Sequence, residues 1–375
     1  MKKIISTLII AIFCFANVAS ATTQNNKEKD INNVNITIGD WKINGKVNGK
    51  IYISDDCKKD KKGRTKLGDS DIVTYSNGKI NIEIAEEKLN ETLARWESAL
   101  EECDIVFDVN NNNPTRITGS GNIISKDIPA IASYDAIKVS RGIHAVMNDE
   151  ESDKITIHAD DNVMPYVIVR KSGESLIITI DENIKSISNV NIKVLLPKHT
   201  ALNELKVASG ASISIKPTIK GRSLSVDASS AGEVNIAKAE VEFFDADASS
   251  AAKISGTVKS DDCYADASSA ADIDLNVLAV QCKSNASSGA KIELEGEVAT
   301  FEGNASSAAK IIAKELAARN LADASASSGA KISVNPTKKL IARASSAGTV
   351  TYVPTDDLLE KNISQSSGGR VKSEF

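Results

Sequence analysis

The feature that most constrains the fold of this chain is a phrase of small residues that recurs through its second half. It reads ASG once and ASS seven times, and a last copy has glutamine in place of the alanine. Successive copies lie 20, 20, 19, 19, 19, 21, 18 and 21 residues apart. The first residues of the copies, numbered position 0, are Ala208, Ala228, Ala248, Ala267, Ala286, Ala305, Ala326, Ala344 and Gln365. A spacing this even indicates a solenoid in which each copy supplies one structural unit.

The residues that lead into each phrase alternate with a period of two. In the seven copies from Ala228 to Ala344, positions −4, −2 and 0 hold apolar or small residues, as in Leu224, Val226 and Ala228. This alternation predicts a β-strand with one buried face, and the Val or Ile at position +6 belongs to a second strand. The intervening position −1 is polar and carries Asp227, Asp247, Asp266, Asn285, Asn304, Ser325 and Arg343 in successive copies.

Units of two or three short strands cannot bury their apolar faces alone, so we expect them to stack. Each strand would pair in parallel with its copy one turn on, about 4.8 Å away. The predicted fold is all-β, a right-handed parallel β-helix with 19–20 residues per turn in most copies, since parallel crossovers favour that hand. The alanines would point inward beside a tight turn, and the serine hydroxyls would bond nearby backbone.

The sequence before the repeats divides into three parts. Residues 1–21 have two lysines, an apolar run and a closing ASA, which is the pattern of a cleaved signal peptide. Residues 22–33 are polar and are predicted to form a flexible leader. Residues 34–113 predict a smaller α+β region with one helix near 85–103. The β-helix domain is expected to occupy residues 116–375.

The charge of the chain argues against nucleic acid as a partner, and its hydropathy argues against a membrane-spanning segment. The net charge is −5 and the sequence has no basic stripe, so nucleic acid is not an expected partner. After signal cleavage, no segment is apolar over a length that would form an integral membrane span. The sequence therefore predicts neither binding to nucleic acid nor a membrane-spanning segment in the mature chain.

Four cysteines remain after signal cleavage, and export makes disulfides available to them. Cys263 and Cys282 both occupy position −4, in successive copies. Parallel neighbours in register keep their Cβ atoms farther apart than a relaxed disulfide prefers, which favours two buried thiols over a bond. Pairing of Cys57 with Cys103 is a further alternative, and the sequence leaves both questions open.

Residues 116–371 resemble a known bacterial family. The likeness rests on the serial turns and on four segments before them, GSGN at 119–122, YDAIKVSRGIHAVM at 134–147, ITIHADDNVMPYVIVRKSGESLIITI at 155–180 and NIKVLLPKHTALNELKVASGAS at 191–212. The chain is similar to the "putative auto-transporter adhesin head GIN domain" family of Bacteroidetes. This resemblance implies a right-handed β-helix with likeness to pectin lyases, a role in adhesion and no assigned catalytic residues. Most turns here read Ser-Ser-Ala or Ser-Ser-Gly, whereas the family often has Gly-Ser-Gly.

We assign no catalytic, cofactor-binding or metal-binding residues from the sequence. His144, His158 and His199 have no carboxylate or cysteine at motif spacing. No cofactor is expected.

The strongest acidic alternative is the row of aspartates at position −1 in three successive copies, Asp227, Asp247 and Asp266. Stacked carboxylates of this kind could bind Ca²⁺, which favours several oxygen ligands. The interpretation that we favour is that these side chains cap the Ser-Ser turn, as Asn285 and Asn304 would in the same position.

The sequence therefore favours an exported, non-enzymatic β-helix scaffold for adhesion or surface interaction at the bacterial envelope. Its expected location is the periplasm, the outer-membrane surface or the extracellular space, and its expected partners are host or envelope glycans or proteins. Two alternatives stay open. One is a glycan-active enzyme of the polysaccharide-lyase type that uses the aspartate row, and the other is a structural protein that self-associates through its ends.

Overall fold

The computed structural model describes residues 26–38, 41–54, 65–66, 73–76, 79–84, 116–131 and 133–374. The chain forms two compact units, residues 1–113 and 114–375. The predicted signal peptide at 1–21 and the predicted helix near 85–103 lie outside the described residues. No helix of the part that the structure describes is long and apolar enough to cross a membrane.

The first unit contains a five-stranded sheet. Its strands are β1 (Asn26–Ile38), β2 (Trp41–Ser54), β3 (Thr65–Lys66), β4 (Val73–Ser76) and β5 (Lys79–Ile84). They lie in the order β2-β1-β5-β4-β3, and β1 pairs antiparallel with β2 but parallel with β5.

Strand β1 begins inside the stretch 22–33 that the sequence predicts as a flexible leader. Residues Asn26–Ile31 pair antiparallel with Gly49–Ser54 in β2. The polar composition of the stretch does not prevent this pairing, because the ladder uses backbone groups and needs no apolar side chains.

The second unit begins with short strands and one 3₁₀ turn, Met164–Tyr166. The strands are β6 (Arg116–Thr118), β7 (Ile123–Pro129), β8 (Ala136–Ser140), β9 (His144–Met147), β10 (Lys154–Asp160), β11 (Val167–Ser172), β12 (Ser175–Ile180), β13 (Ser186–Ser188) and β14 (Lys193–Leu196). Strands β12 and β14 pair in parallel with β8 and β9, whereas β10 and β11 pair antiparallel with β14 and β12. The antiparallel strands lie at the N-terminal end of the stack.

The repeats form a regular parallel stack. Its strands are β15 (Glu204–Ala208), β16 (Ser212–Ala228), β17 (Glu233–Ala248), β18 (Lys253–Ala267), β19 (Asp272–Ala286), β20 (Lys291–Ala305), β21 (Lys310–Ala326), β22 (Lys331–Pro336), β23 (Lys339–Ala344), β24 (Thr349–Tyr352), β25 (Glu360–Gln365) and β26 (Arg370–Ser373). Each copy pairs in parallel with the next, which confirms the predicted β-solenoid. The right-handed coiling stays a prediction.

The core of the solenoid consists of the inward rows that the alternation predicts. The Val or Ile at position +6 is at most 1% exposed in each of seven copies: Val234, Ile254, Ile273, Ile292, Ile311, Ile332 and Val350. Burial of one such side chain contributes about 1.5–3 kcal/mol. The structure differs from the prediction in one respect, because β16 to β21 each run unbroken for 15 to 17 residues. One long strand and one tight corner therefore form each of these coils.

Candidate functional site

The corner of each coil is a four-residue turn whose two central residues have positive φ. In the copy that starts at Ala248, Ser250 has φ 54° and Ala251 has φ 61°. The backbone N–H of Ala252 donates to the carbonyl of Ser249 at 3.1 Å and closes the turn. Positive φ at both central positions is the pattern of a type I′ turn, which favours Gly or Asn.

The corners are joined by a ladder of backbone hydrogen bonds. The N–H of Ala251 donates to the carbonyl of Ser269 in the next coil at 3.0 Å, and Ala270 donates likewise to Ser288 at 3.1 Å. The same bond links ten corners, whose first positive-φ residues are Arg141, Ser209, Ser230, Ser250, Ser269, Ser288, Ser307, Ser328, Ser346 and Ser367. Backbone groups therefore make these links between successive coils.

An open groove of about 660 Å³ runs along this edge of the solenoid. One side is formed by position −1 from Asp227 to Ser325, and the other by the first serine of the turns. Five rung spacings give it a length of roughly 24 Å. Its lining residues are Asp227, Asp247, Ala248, Ser249, Asp266, Ala267, Ser268, Asn285, Ala286, Ser287, Asn304, Ala305, Ser306, Ser325 and Ser327.

The amides in the middle of the groove bond along the row. The Nδ2 of Asn285 donates to Oδ1 of Asp266 at 2.6 Å, and the Nδ2 of Asn304 donates to Oδ1 of Asn285 at 3.2 Å. The preferred interpretation of position −1 as a cap for the Ser-Ser turn is therefore wrong for these two amides. Their neighbours along the ladder accept these bonds instead, because equivalent positions stack one rung apart.

The acidic end of the groove brings several carboxylates close together. Partial burial, followed by repulsion from Asp245, Asp266 and Asp227, raises the pKa of the Asp247 carboxyl above its ordinary value. Burial and repulsion from Asp266 likewise raise the pKa of Asp245. No group of three or more His, Cys, Asp or Glu residues with metal-binding geometry occurs among the described residues. Neighbouring aspartates extend from the sheet in parallel, so a row of them does not enclose an ion.

Two exposed aromatic residues lie beside this acidic end. Phe243 is 42% exposed and pairs in register with Asp262, while Tyr264 is 38% exposed and pairs with Asp245. The two rings are therefore diagonal neighbours on one outward face, within reach of each other. The sequence analysis did not identify Phe243 as an exposed ring. The signal was present, because the buried Phe244 requires its neighbour to point outward.

Two of the three histidines lie near each other in the sheet, because His144 and His158 pair in register with Lys193 from its two sides. The Nδ1 of His144 is 2.8 Å from the hydroxyl of Ser212. His199 packs its ring at 4.5 Å from that of Tyr134, and its Nε2 is 2.7 Å from the Tyr134 carbonyl oxygen. Burial raises the pKa of Tyr134 to about 12. His158 lies in β10. His144 and His199 therefore each have a partner within the fold.

Cys263 and Cys282 are paired in register in β18 and β19, and both are buried free thiols. This arrangement agrees with the preferred interpretation of the two stacked cysteines. The hydrogen bond with Cys282, together with burial, raises the pKa of the Cys263 thiol well above its usual range. Such a thiol is a poor nucleophile, so its role is in packing. Cys57 and Cys103 lie outside the described residues.

The long in-register stack and the groove along its corner define a β-solenoid protein with a repeat-built polar surface. Residues 133–263 and 249–355 match the model of the family described as "Putative auto-transporter adhesin, head GIN domain". The chain belongs to this family, as its sequence resemblance indicated. No curated protein matches the chain.

Several solved structures are similar to this chain. A "putative adhesin" from Parabacteroides merdae is 20% identical with a TM-score of 0.49, covering 69% of this chain and 99% of its own. A "putative lipid binding protein" from Parabacteroides distasonis is 19% identical with a TM-score of 0.48, covering 69% and 100%. A "putative adhesin" from Bacteroides fragilis is 16% identical with a TM-score of 0.39, covering 69% and 100%. At these identities and TM-scores, no ligand or activity is carried over to this chain.

Proposed function

We propose that this protein is exported and acts as a non-enzymatic β-helix scaffold for adhesion or surface interaction at the bacterial envelope. The observation that carries the proposal is the groove of about 660 Å³, which repeats similar polar groups over several coils. Family membership supports the same role, since the family is described as adhesin heads. The expected partners are host or envelope glycans or proteins.

The groove is suited to an extended ligand rather than to a compact one. It is open along its length, and its donors and acceptors recur at the rung spacing of about 4.8 Å. The exposed rings of Phe243 and Tyr264 offer apolar faces beside the carboxylates of Asp245 and Asp247. A glycan chain presents both apolar faces and hydroxyl groups, and so complements this combination of surfaces.

A glycan and protein array probed with the purified chain tests this proposal. We expect binding by the wild type and weaker binding by Tyr264→Ala. The matched control is Glu315→Gln, which removes an exposed carboxylate outside the residues that line the groove. Binding that is the same in Tyr264→Ala would contradict a role for this end of the groove. Protease shaving of intact cells would test exposure at the cell surface.

A glycan-active enzyme is the second candidate function. The observation in its favour is the raised pKa of Asp247, because a carboxyl that holds its proton longer can act as a general acid. Lyase and hydrolase assays on the array ligands separate the two functions. Calcium-dependent cleavage that is lost in Asp247→Ala would overturn the non-enzymatic proposal, whereas binding without turnover supports it.

A further inference from the structure

A second pocket, of about 560 Å³, lies at the first corner of the ladder. It is bounded by the corner residues Arg141 and Gly142, by Ser209 of the adjoining corner, and by the segment that contains strand β13. Its lining residues are Arg141, Gly142, Lys185, Ile187, Ser188, Asn189, Val190 and Ser209. This pocket contains none of the residues that line the long groove.

Arg141 interrupts an otherwise uniform corner. The other nine corners of the ladder have serine at this position, and Arg141 adopts the same left-handed backbone with φ 63°. The left-handed conformation costs about 1–2 kcal/mol for a residue with a Cβ, and a long side chain does not lower this cost. The arginine therefore has no advantage over serine as a turn residue, and its side chain must account for its presence.

The Arg141 side chain is half-buried and anchored at one point. Its Nη2 donates to the backbone carbonyl of Ile184, the residue before Lys185. A guanidinium has five N–H donors, so this bond leaves donors for another partner. The contact also holds the arginine against the segment that carries Lys185, and thereby brings two cations to one pocket.

These two cations have no carboxylate partner among the described residues. Other lysines of the same region form ion pairs, such as Lys138 with Glu204 at 3.6 Å and Lys198 with Asp149 at 2.9 Å. Arg141 and Lys185 form none with any residue that the structure describes. The remaining polar groups in the lining are the side chains of Ser188, Asn189 and Ser209, each of which can donate a hydrogen bond.

We propose that this pocket binds a phosphate group. A phosphate carries about two negative charges, which matches the two cations, and its several oxygens can accept from the guanidinium, the ammonium and the neighbouring hydroxyl and amide groups at once. Arg116 adds to the positive charge nearby, because β6 pairs with β13 and places Arg116 opposite Ser186. The proposal concerns a site separate from the groove and does not depend on the adhesive function.

Calorimetric titration of the full chain with inorganic phosphate tests the proposal. Arg141→Ser gives the first corner the residue that the other nine corners have, so we expect this variant to fold. We expect it to weaken phosphate binding by at least about tenfold. Lys185→Gln should also weaken binding, whereas Lys310→Gln, an exposed lysine outside the pocket, should leave it unchanged.

A second arm distinguishes a free phosphate from a lipid headgroup. Vesicles of phosphatidylcholine, with and without phosphatidic acid, are sedimented with each variant. Binding that requires phosphatidic acid and Arg141 assigns the site to a phosphate exposed on a lipid surface, and binding to inorganic phosphate alone assigns it to a soluble ligand. The proposal is overturned if neither probe binds, if Arg141→Ser binds as well as the wild type, or if acetate binds as tightly as phosphate.

Discussion

At the residue scale, the corners explain why the chain repeats serine with alanine or glycine. Each turn places two successive residues in the left-handed region, as Ser250 and Ala251 show. Gly289 occupies the same place as Ala251 in a later coil, with φ 74° and open space where a Cβ would lie. The choice between alanine and glycine therefore concerns backbone strain more than space.

This strain predicts that Ala251→Gly stabilises the protein. Left-handed backbone costs about 1–2 kcal/mol for alanine, and the greater freedom of glycine in the unfolded chain costs about 0.5–1 kcal/mol. The net gain in the free energy of unfolding should be about 0.5 kcal/mol, measured by urea denaturation.

The matched control is Ala252→Gly, at a buried residue outside the positive-φ pair. This variant removes a packed methyl group without relieving strain and should lose about 1 kcal/mol. Destabilisation of similar size in both variants would contradict the account of the corner.

The acidic end of the groove predicts a pH-dependent gain from Asp247→Asn. Because folding raises the pKa of Asp247, the folded state binds this proton more readily than the unfolded state, and ionisation of Asp247 destabilises the fold. The variant should be more stable than the wild type at neutral pH. The difference should shrink as the pH falls through the raised pKa and vanish below the ordinary value for aspartate. Asparagine fits this position, as Asn285 shows in a later coil.

Substitution of Asp161 should change the stability of the fold in the opposite direction, so it serves as the comparison. Hydrogen bonds from the side chains of Ser120 and Asn122 lower its pKa, so its ionised form stabilises the fold at neutral pH. Asp161→Asn should lose stability there, and the loss should disappear as the pH falls through the lowered pKa. Denaturation midpoints measured across the acid range would contradict the electrostatic account if both variants changed with the same sign.

At the element scale, much of the fold was predictable because the repeats are nearly equal in length. A strand that alternates in every copy can stack on its neighbour without a change of register, as Ile273 and Ile292 do. The N-terminal end was harder to predict. Strands β12 and β14 follow β8 and β9 in the chain, but they pair with the edges of β8 and β9 that face away from the repeats. The order of strands in the stack is therefore reversed here relative to the chain, and the periodicity of the sequence does not predict this reversal.

The groove was predictable only in part, for a related reason. The alternation identified position −1 as an outward row, but the direction of the bonds along it depends on which amide faces which neighbour. Asn285 donates to Asp266 rather than to its own turn. The pocket at Arg141 is formed by segments that are far apart in the sequence. No local sequence pattern predicts that such segments come together.

The stacking of β18 on β19 predicts the behaviour of the two cysteines. Cys263 and Cys282 are at most 1% exposed, and the pKa of Cys263 is well above its usual range. Neither thiol should therefore react with iodoacetamide in the folded protein, and both should react in denaturant. Peptide mapping by mass spectrometry measures this directly. Labelling of either residue in the native protein, or recovery of a disulfide-linked peptide, would contradict the packing account.

At the scale of the whole molecule, the C-terminal coil differs from the others in a way that bears on self-assembly. Its strand β25 pairs with β23 on one side and with no strand on the other among the described residues. Position −4, apolar in the seven copies from Ala228 to Ala344, holds Lys361 here, and its ammonium lies 5.7 Å from the centre of the Tyr352 ring. A charge in an inward row discourages the addition of another coil at an open edge.

This end predicts that Lys361→Leu promotes self-association. The substitution would extend the apolar surface already formed by Leu359 and Ile363, which are 86% and 43% exposed. Light scattering should show a concentration-dependent increase in mass for the variant and a constant mass for the wild type. Lys372→Leu in β26, a lysine from the other strand of the same coil, is the comparison. A wild type that already forms fibres would support the self-assembling alternative instead.

The central claim is that the chain binds an extended partner along its groove without transforming it. The most direct measurement is the dissociation constant of the partner identified by the array, compared between the wild type and the double variant Phe243→Ala, Tyr264→Ala. Loss of two stacking rings should weaken binding by about tenfold, with Glu315→Gln unchanged and the partner recovered intact. Equal affinity in all three proteins, or a cleaved partner, would contradict the claim.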